Sequence, residues 1–271
     1  MSRVDILGTR VDNVSMAESL GRIATAVESD VFAYAVTPNV DHVMRLRRDG
    51  YFRKIYESAD LVVPDGVPLV WASRLLGKSL KERVNGTDLF ENACELAAER
   101  GYKLYLLGGN PGAAMKAGAC LRIKYPTLRI VGSLCPEFGF DEDPSQNSKI
   151  QDQIRQSGAD ILFVGLGAPK QEQWIYQYAR GSGVRFAVGI GISFSFVAGE
   201  LSRAPVWMQR SGLEWLWRLI SEPRRLWKRY LVEDMPFLLL ILVASIQRRT
   251  RAVWPPLHRL IGRSISPGTS R

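Results

Sequence analysis

The residues best suited to chemistry follow short apolar runs of the sequence. Asp65 comes directly after one such run and is flanked by Pro64 and Gly66. A carboxylate in such a loop can accept a proton from a substrate hydroxyl. Asp65 can equally cap a helix that begins near Val67, which is a common role for aspartate. The residue types alone leave both roles open.

Other loops of this kind follow further apolar runs. Thr37-Pro38-Asn39 offers a hydroxyl and an amide, although these residues also form an ordinary turn with a helix cap. Gly108, Gly109 and Asn110 open a glycine-rich loop, in which a ligand can approach the backbone closely. Gly165–Gln171 and Gly191 follow two more runs. One such loop is ordinary turn chemistry, but several together indicate a shared site.

The elements that would carry these loops alternate along the chain. Their spacing predicts an α/β fold, with a mostly parallel, Rossmann-like sheet and helices on both faces. In such sheets ligands bind beyond the carboxyl ends of the strands, so the loops are expected to meet at one edge. The predicted strands are Val31–Val36, Leu61–Val63, Lys103–Leu107, Arg129–Val131, Ile161–Val164 and Phe186–Ile190. The predicted helices between them include Val40–Ser58, Asp88–Arg100, Gly112–Lys124 and Gln171–Arg180.

The last quarter of the chain has a different composition. Residues 201–271 hold 13 Lys and Arg against 4 Asp and Glu, whereas residues 1–200 hold 23 of each kind. Five of the seven Trp also lie in this quarter. Basic residues mixed with Trp suit an anionic membrane surface. We therefore predict an α/β catalytic domain over residues 1–204, as one unit or two closely coupled sub-domains, and a helical membrane-docking appendage over residues 205–271.

Helical spacing within this appendage covers Leu213–Leu231, and Pro223 is expected to break or restart the helix. The apolar run Phe237–Ala244, extended loosely to Ile246, is shorter than the roughly 20 residues of a spanning helix. This length predicts a protein that lies on the membrane. An amphipathic helix can instead pack on its own protein.

The cysteines and histidines indicate neither a metal site nor a disulfide. Cys94, Cys120 and Cys135 are odd in number and widely spaced, which favours reduced thiols in a cytosolic protein. His42 and His258 form no metal-ligand pattern, and His42 is expected on a helix face near the rim of the pocket. The N-terminus lacks a basic-then-apolar signal segment. We predict no metal and no cofactor.

Six motifs in order carry a resemblance to a known family. They cover roughly residues 5–232, and together they resemble the WecG/TagA/CpsF family, which is glycosyltransferase family twenty-six. The motifs are TPNVDH at 37–42, ADLVVPDGVPLVW at 59–71, RVNGTDL at 83–89, LYLLGG at 104–109, VGLGAPKQEQW at 164–174 and RAPVWMQRSGLEWLWRLISEPRRLWKRYL at 203–231.

The resemblance implies an inverting, metal-independent transfer of a sugar from a UDP-sugar. It implies an acceptor saccharide carried on a polyprenyl diphosphate at the cytoplasmic leaflet, in the synthesis of cell-surface polysaccharides. It also implies that the basic appendage docks on the membrane and helps to close the active site. The partners would be the UDP-sugar, the lipid-linked saccharide and the anionic membrane surface, with no nucleic acid and with self-association left open.

The same resemblance implies roles for particular residues. Asp65 would be the base, and Arg83 would stabilise the leaving diphosphate. The alternative for Arg83 is a solvated side chain among Lys78, Lys81 and Glu82. The residues expected to hold the donor are Thr37, Asn39, Gly108, Gly109, Asn110 and Gln171. The cations expected to meet lipid headgroups or the acceptor diphosphate are Arg218, Arg224, Arg225, Lys228 and Arg229.

Local alternatives remain for two of these motifs. Gln171 and Glu172 can form an exposed first helical turn, where acidic residues are favoured. Asp88 is expected to cap a helix. In GIGISFSFVAG at 189–199, Ser195 stands where the family usually has Asp, so sugar or nucleotide preference is open.

Two other function classes compete with a transferase. A nicotinamide-dependent oxidoreductase would need a complete glycine fingerprint, but Gly165-Leu166-Gly167 lacks the third glycine. A non-enzymatic adaptor for membrane or nucleic acid would explain the basic tail and leave the loops unused.

Overall fold

The computed structural model describes residues 2–253, except for the side chains of residues 225 and 249–253. The strands are β1 Arg3–Ile6, β2 Thr9–Asp12, β3 Ala33–Val36, β4 Leu61–Val62, β5 Lys103–Gly108, β6 Arg129–Leu134, β7 Ile161–Gly165 and β8 Phe186–Gly189. The α-helices are α1 Met16–Glu28, α2 Val40–Leu46, α3 Gly50–Glu57, α4 Val67–Leu75, α5 Gly86–Arg100, α6 Ala113–Lys124, α7 Pro144–Ser157, α8 Lys170–Trp174, α9 Ser193–Val197, α10 Val206–Arg210, α11 Glu214–Ser221, α12 Pro223–Lys228 and α13 Met235–Val253.

Six of the strands form one parallel sheet in the order β4-β3-β8-β7-β5-β6. Successive side chains point to opposite faces, so Leu162 and Val164 enter the core on one face and Ile161 and Phe163 the core on the other. Helices cover both faces, and every residue of β7 is buried. The predicted α/β class with a parallel, Rossmann-like sheet is confirmed. All six predicted strands are present.

An N-terminal hairpin was missed by the sequence analysis. β1 and β2 pair antiparallel through a turn in which Leu7 has φ 53° and Gly8 φ 89°. Asp12 ties this hairpin to the large sheet, because its carboxylate accepts hydrogen bonds from the Val62 amide at 2.8 Å and from Arg3 Nε at 2.9 Å.

Two helix predictions were wrong in extent. The predicted helix Val40–Ser58 is two helices, α2 and α3, and Asp49 caps the second by accepting from the Phe52 amide at 2.9 Å. The predicted helix Gln171–Arg180 is α-helical only as far as Trp174 and continues as the π-helical turn Ile175–Ala179. Apolar periodicity did not reveal the cap at Asp49 or the change from α-helix to π-helix after Trp174.

The C-terminal helices pack partly on the rest of the protein. Leu226, Phe237 and Ile241 are buried, and the last two belong to the core beneath the sheet. Pro223 begins α12, as predicted. The opposite face of α13 is exposed, so packing on the protein uses only one side of this helix. The large apolar side chains on the exposed side include Leu238, Leu239, Leu242, Val243 and Ile246.

The apolar run lies in a longer helical stretch than the uninterrupted apolar residues indicated. Leu226–Arg248 is long and apolar enough to cross a membrane by length and composition, and 17% of its apolar window is buried in the protein. Within this stretch, α13 begins at Met235, after the π-helical turn Arg229–Glu233, and extends past the predicted apolar run at both ends, to Val253.

Candidate active site

Asp65 is placed by the backbone at the carboxyl end of β4. Its amide donates to the Pro38 carbonyl at 2.8 Å, which joins the loops after β3 and β4. Gly66 has φ 122° and ψ 137°, a conformation that only glycine adopts readily, and α4 begins after it without a side-chain cap. Asp65 therefore does not cap α4, and its carboxylate is available to the cavity beside it.

Asn85 orients this carboxylate. Its side-chain oxygen caps α5 by accepting from the amides of Thr87 at 2.9 Å and Asp88 at 3.3 Å. The cap turns the amide nitrogen toward Asp65, and Nδ2 donates to Asp65 Oδ1 at 2.8 Å. The cap of α5 is thus Asn85, and the prediction that Asp88 caps it was wrong.

Thr37 follows β3 and lies at the junction of the loops after β3 and β4, across Gly86 from Asp65. A Cβ at Gly86 would stand 3.8 Å from Thr37 Oγ1 and 3.9 Å from Asp65 Oδ2, so both oxygens face this glycine. Asn39 caps α2 by accepting from the His42 amide at 3.1 Å, and it also lines the cavity. The loops after β3 and β4 therefore bring Thr37, Asn39 and Asp65 together, as predicted.

A cavity of about 360 Å³ lies over these loops, with walls supplied by the C-terminal helices. Asp65, Arg83 and Asn85 line it from the sheet side, and Glu214 and Arg218 line it from α11. Burial, and then the nearby charge of Glu214, raise the pKa of Asp65 to about 6. Arg83, Arg218 and the hydrogen bond from Asn85 oppose this rise. A carboxyl with such a pKa is ionised at neutral pH and is still basic enough to take a proton.

Arg83 is held by two carboxylates. Its Nη1 donates to Glu214 at 3.0 Å and its Nη2 to Asp88 at 3.0 Å, while Arg203 reaches the other oxygen of Asp88 at 2.7 Å. Only 19% of the Arg83 side chain is exposed, so a solvated arginine among Lys78, Lys81 and Glu82 is excluded. The pair with Glu214 joins the predicted catalytic arginine to the C-terminal helices.

The predicted cations of the C-terminal segment divide into two groups. Arg218 and Arg229 line the cavity, and Arg229 pairs with Asp41 of α2 at 3.1 Å. Arg224 and Lys228 are exposed outside it. The side chain of Arg225 lies outside the described residues. Two of the five predicted cations are thus placed to meet an anion in the same cavity as Asp65.

The glycine loop lies at the same sheet edge but apart from this cavity. Four strand spacings separate β4 from β5, which is about 19 Å at ordinary spacing. Gly108 is needed by the fold, since a Cβ there would stand 2.8 Å from the Gly165 carbonyl oxygen. Asn110 donates to Ser195 at 3.4 Å, and Ser195 to Glu200 at 3.1 Å. One ligand can reach both places only if it is extended.

Gln171 is buried, and the exposed helical turn considered for it was wrong. Its Oε1 accepts from the Gly191 amide at 3.0 Å, and its Nε2 donates to Glu172 at 2.8 Å. Burial raises the pKa of Glu172 to about 7. Gln171 therefore holds the loop after β8 in place at the sheet edge.

The predicted place of His42 at the pocket rim was wrong. His42 is buried, and its Nδ1 lies 2.7 Å from the hydroxyl of Tyr56. Desolvation lowers the pKa of His42 to about 4. The three cysteines are free thiols, as predicted. Within residues 2–253, no group of three or more His, Cys, Asp or Glu is arranged to hold a metal ion.

Glu214 was missed by the sequence analysis. It lies 131 residues beyond Arg83, and nothing in its local pattern distinguishes it from an acidic residue in a first helical turn. The aromatic lining of the cavity, formed by Trp71 and Trp215, was also missed. Trp71 lies within a motif that was noted, but its spacing did not reveal that it faces a cavity.

Comparison with known proteins decides the family. The sequence model of the Glycosyl transferase WecG/TagA/CpsF family matches residues 4–251. The chain belongs to the WecG/TagA/CpsF glycosyltransferase family. This membership makes it a glycosyltransferase and sets aside the oxidoreductase and adaptor classes. The matched range includes Asp65, Arg83 and Gln171.

Relatives within the WecG/TagA/CpsF family have a named activity. The chain is 30% identical over 207 residues to the N-acetylglucosaminyldiphosphoundecaprenol N-acetyl-beta-D-mannosaminyltransferase of Bacillus spizizenii, covering 76% of this chain and 78% of the relative. A protein of the same name from Bacillus subtilis is 30% identical over 205 residues, which are 76% and 77% of the two chains. The protein of that name from Staphylococcus aureus is 28% identical over 230 residues, which are 84% and 87%.

Proposed function

We propose that this enzyme transfers a sugar, with inversion and without a metal, from a UDP-sugar to a saccharide on a polyprenyl diphosphate. The observation that carries the proposal is the Asp65 carboxylate, which Asn85 holds in a cavity that also contains arginines from the C-terminal helices. The base and the cations for a diphosphate thus belong to one site. The names of the relatives describe an acceptor with such a diphosphate.

The reaction is a single displacement at the anomeric carbon. The acceptor hydroxyl attacks this carbon while Asp65 takes its proton, so one C–O bond forms as the bond to the β-phosphate of UDP breaks. The electron pair of the broken bond leaves with UDP. The pKa of about 6 suits Asp65 to this task, because the group is ionised at neutral pH without being a very weak base.

The departing diphosphate needs positive charge or N–H donors. Arg83 is our choice, since its pairs with Asp88 and Glu214 use two of the five N–H donors of a guanidinium. Thr37 and Asn39 would bind the sugar beside Asp65. Gly108, Gly109 and Asn110 would receive the far end of the extended donor, and Gln171 would support that end of the site by holding the loop after β8.

The relatives supply the first substrates to test. Their names describe transfer of N-acetylmannosamine to N-acetylglucosaminyl-diphosphoundecaprenol. We propose the UDP form of that sugar and this acceptor for the present enzyme. Ser195 stands where the family usually has Asp. Its hydroxyl accepts a hydrogen bond from Asn110 and donates one to Glu200, near the glycine loop. Ser195 is therefore our candidate for a difference in the choice of donor sugar.

The enzyme would work as a peripheral protein at the cytoplasmic leaflet. The exposed apolar face of α13, which we define as Leu239, Leu242, Val243 and Ile246, is more than half exposed at each position. Exposed Trp227 and the exposed cations Arg224 and Lys228 precede it in the chain. Apolar, aromatic and basic groups together favour an interface with anionic lipid.

The function is tested by two measurements on the full chain. Thermal denaturation is followed with a panel of nucleotides and nucleotide-sugars, with a chelator or with divalent metal. A rise in Tm with UDP and one UDP-sugar in chelator is expected, because a ligand of the native state stabilises it. Transfer to the lipid-linked acceptor is then followed by mass spectrometry, and the anomeric configuration by NMR. A retained configuration, or no transfer from any uridine nucleotide in the presence of liposomes, would contradict the proposal.

Glu214 provides a pH-dependent test of the same site. Glu214→Gln removes a negative charge near Asp65 and frees Arg83 from one carboxylate, and both changes favour ionised Asp65. The acidic limb of the kcat/KM profile should therefore move to lower pH. Glu233→Gln changes an exposed carboxylate of the same segment and should leave the limb in place. An equal shift in both variants, or none in the first, would contradict the role given to Glu214.

A further inference from the structure

The cavity over Asp65 has a lining of two kinds. Asp65, Arg83 and Arg218 contribute charged groups, whereas other lining residues are apolar or aromatic. The proposed chemistry of sugar transfer uses the charged groups. The apolar groups, which we call the apolar wall, include Trp71 of α4, Trp215 of α11 and Leu238 of α13.

The aromatic side chains of this apolar wall have close neighbours in the protein. Gly212, with φ 73°, lets the turn between α10 and α11 approach Trp71, since a Cβ there would stand 3.2 Å from the ring tip. The ring centroid of Trp215 lies 6.1 Å from that of Tyr230, edge to face. Contacts of this kind favour particular orientations of the rings.

The same side chains remain open to solvent. Trp71 is 48% exposed, Trp215 40% and Leu238 61%. Leu238 is followed on α13 by exposed Leu239 and Leu242, so the apolar wall continues onto the apolar face of that helix. A contiguous exposed apolar surface with charged groups at its rim is typical of a binding site.

The charges at the rim narrow the choice of ligand. A nucleobase or a sugar ring can stack on one indole, but a sugar nucleotide has no hydrocarbon chain to cover exposed Leu238 and Leu239. An amphiphile with a diphosphate joined directly to a hydrocarbon chain would place its anion near Arg218 and Arg229 and its first carbons against the indoles. The remaining chain could follow α13 toward the lipid. A cavity of about 360 Å³ holds a head group and the start of a chain, and not a long polyprenyl tail.

We propose that Trp71, Trp215 and Leu238 form a subsite for the first isoprene units beside the diphosphate. This subsite rests on the proposed function, in which the acceptor is linked to a polyprenyl lipid. The enzyme would then select its acceptor by the lipid as well as by the sugar. Burial of two isoprene units against such a wall removes enough apolar surface from water to give a measurable preference.

The test is binding of geranyl diphosphate and methyl diphosphate to the full chain, measured by calorimetry without membranes or detergent. Wild type should bind the geranyl compound at least about 30-fold more tightly. Trp71→Ala should reduce this preference about tenfold, and Leu238→Asn should also reduce it. Trp207→Ala removes another exposed Trp, on α10 and outside the cavity, and should preserve the preference.

Equal affinity of the wild type for both compounds would overturn the subsite. An undiminished preference in both the Trp71 and Leu238 variants, or an equal loss in the Trp207 variant, would overturn it as well. These measurements need no sugar transfer. An enzyme that prefers geranyl diphosphate but transfers no sugar would therefore contradict the proposed function and support the subsite.

Discussion

Asp65→Asn is expected to reduce kcat about 10³-fold while the affinity for UDP stays within about twofold of wild type. Asparagine keeps the shape of the side chain and can still accept the hydrogen bond from Asn85, but it cannot take a proton. Loss of a general base costs roughly 10² to 10⁴ in rate. Steady-state transfer and calorimetric binding of UDP measure the two effects. A variant with at least a third of wild-type turnover would remove Asp65 as the base.

The pH dependence of the wild type belongs to the same prediction. A base must be ionised, so kcat/KM should rise with pH through about 6 and level off above it. Asp65→Asn should lose this limb, since the group that titrates is gone. An unchanged acidic limb in the residual activity would assign the titration to another group.

As pH rises through 6, ionisation of Asp65 should increase activity and decrease the stability of the folded protein. The pKa of Asp65 is raised from 3.8 to about 6 by folding, so the native state binds this proton more tightly than the unfolded state. The stabilisation from the protonated group is complete below about pH 4 and is lost as pH rises through 6. At pH 7.5 the asparagine variant should therefore have a Tm at or above that of wild type, with a smaller difference at pH 5. A variant that is inactive and also less stable at pH 7.5 would point to misfolding.

Much of the fold could be predicted because parallel strands are buried on both faces. Ile161–Gly165 is apolar at nearly every position, as such a strand requires, and its partners show the same pattern. The rule that ligands bind beyond the carboxyl ends of the strands then selected Thr37 and Asp65. The structure brings these two residues to one junction, with Gly86 between them.

Other features depend on contacts between distant parts of the chain. β1 and β2 have four residues each, too few for alternation to stand out, and their place is fixed by Asp12 and Val62 across the fold. The pair between Arg83 and Glu214 is likewise invisible to local patterns. The C-terminal helix extends beyond the apolar run that the sequence shows, because a helix tolerates proline in its first turn and charged residues near its end.

The glycine loop shows how a residue type can be predicted for one reason and required for another. Gly108 was selected because glycine admits a ligand close to the backbone. In the structure the close neighbour is Gly165 of β7, and the Gly109 amide donates to its carbonyl at 2.7 Å. Residue type limits local geometry, but it does not identify the group that comes close.

The second large effect is a loss of membrane binding when the apolar face of α13 is made polar. Changing Leu239, Leu242 and Ile246 together to Gln should lower recovery on anionic liposomes about 100-fold. The three lie on one side of the helix and are each more than half exposed, so a transfer free energy of roughly 1 kcal/mol from each accounts for this loss. Cosedimentation at fixed ionic strength measures it. The buried Phe237 and Ile241 are unchanged in this variant, so the helix should stay docked on the protein.

A matched control separates membrane contact from a general change in polarity. Met115→Gln and Ile123→Gln alter two exposed apolar residues of α6, remote in sequence from the appendage, and should leave liposome recovery as in wild type. Light scattering of the wild type and the triple variant in solution, without liposomes, tests whether the α13 face also mediates self-association. Loss of a dimer would halve the measured molar mass. Full membrane recovery of the triple variant would show that the apolar face is not the anchor, and exposed cations such as Arg224 and Lys228 would then have to provide it.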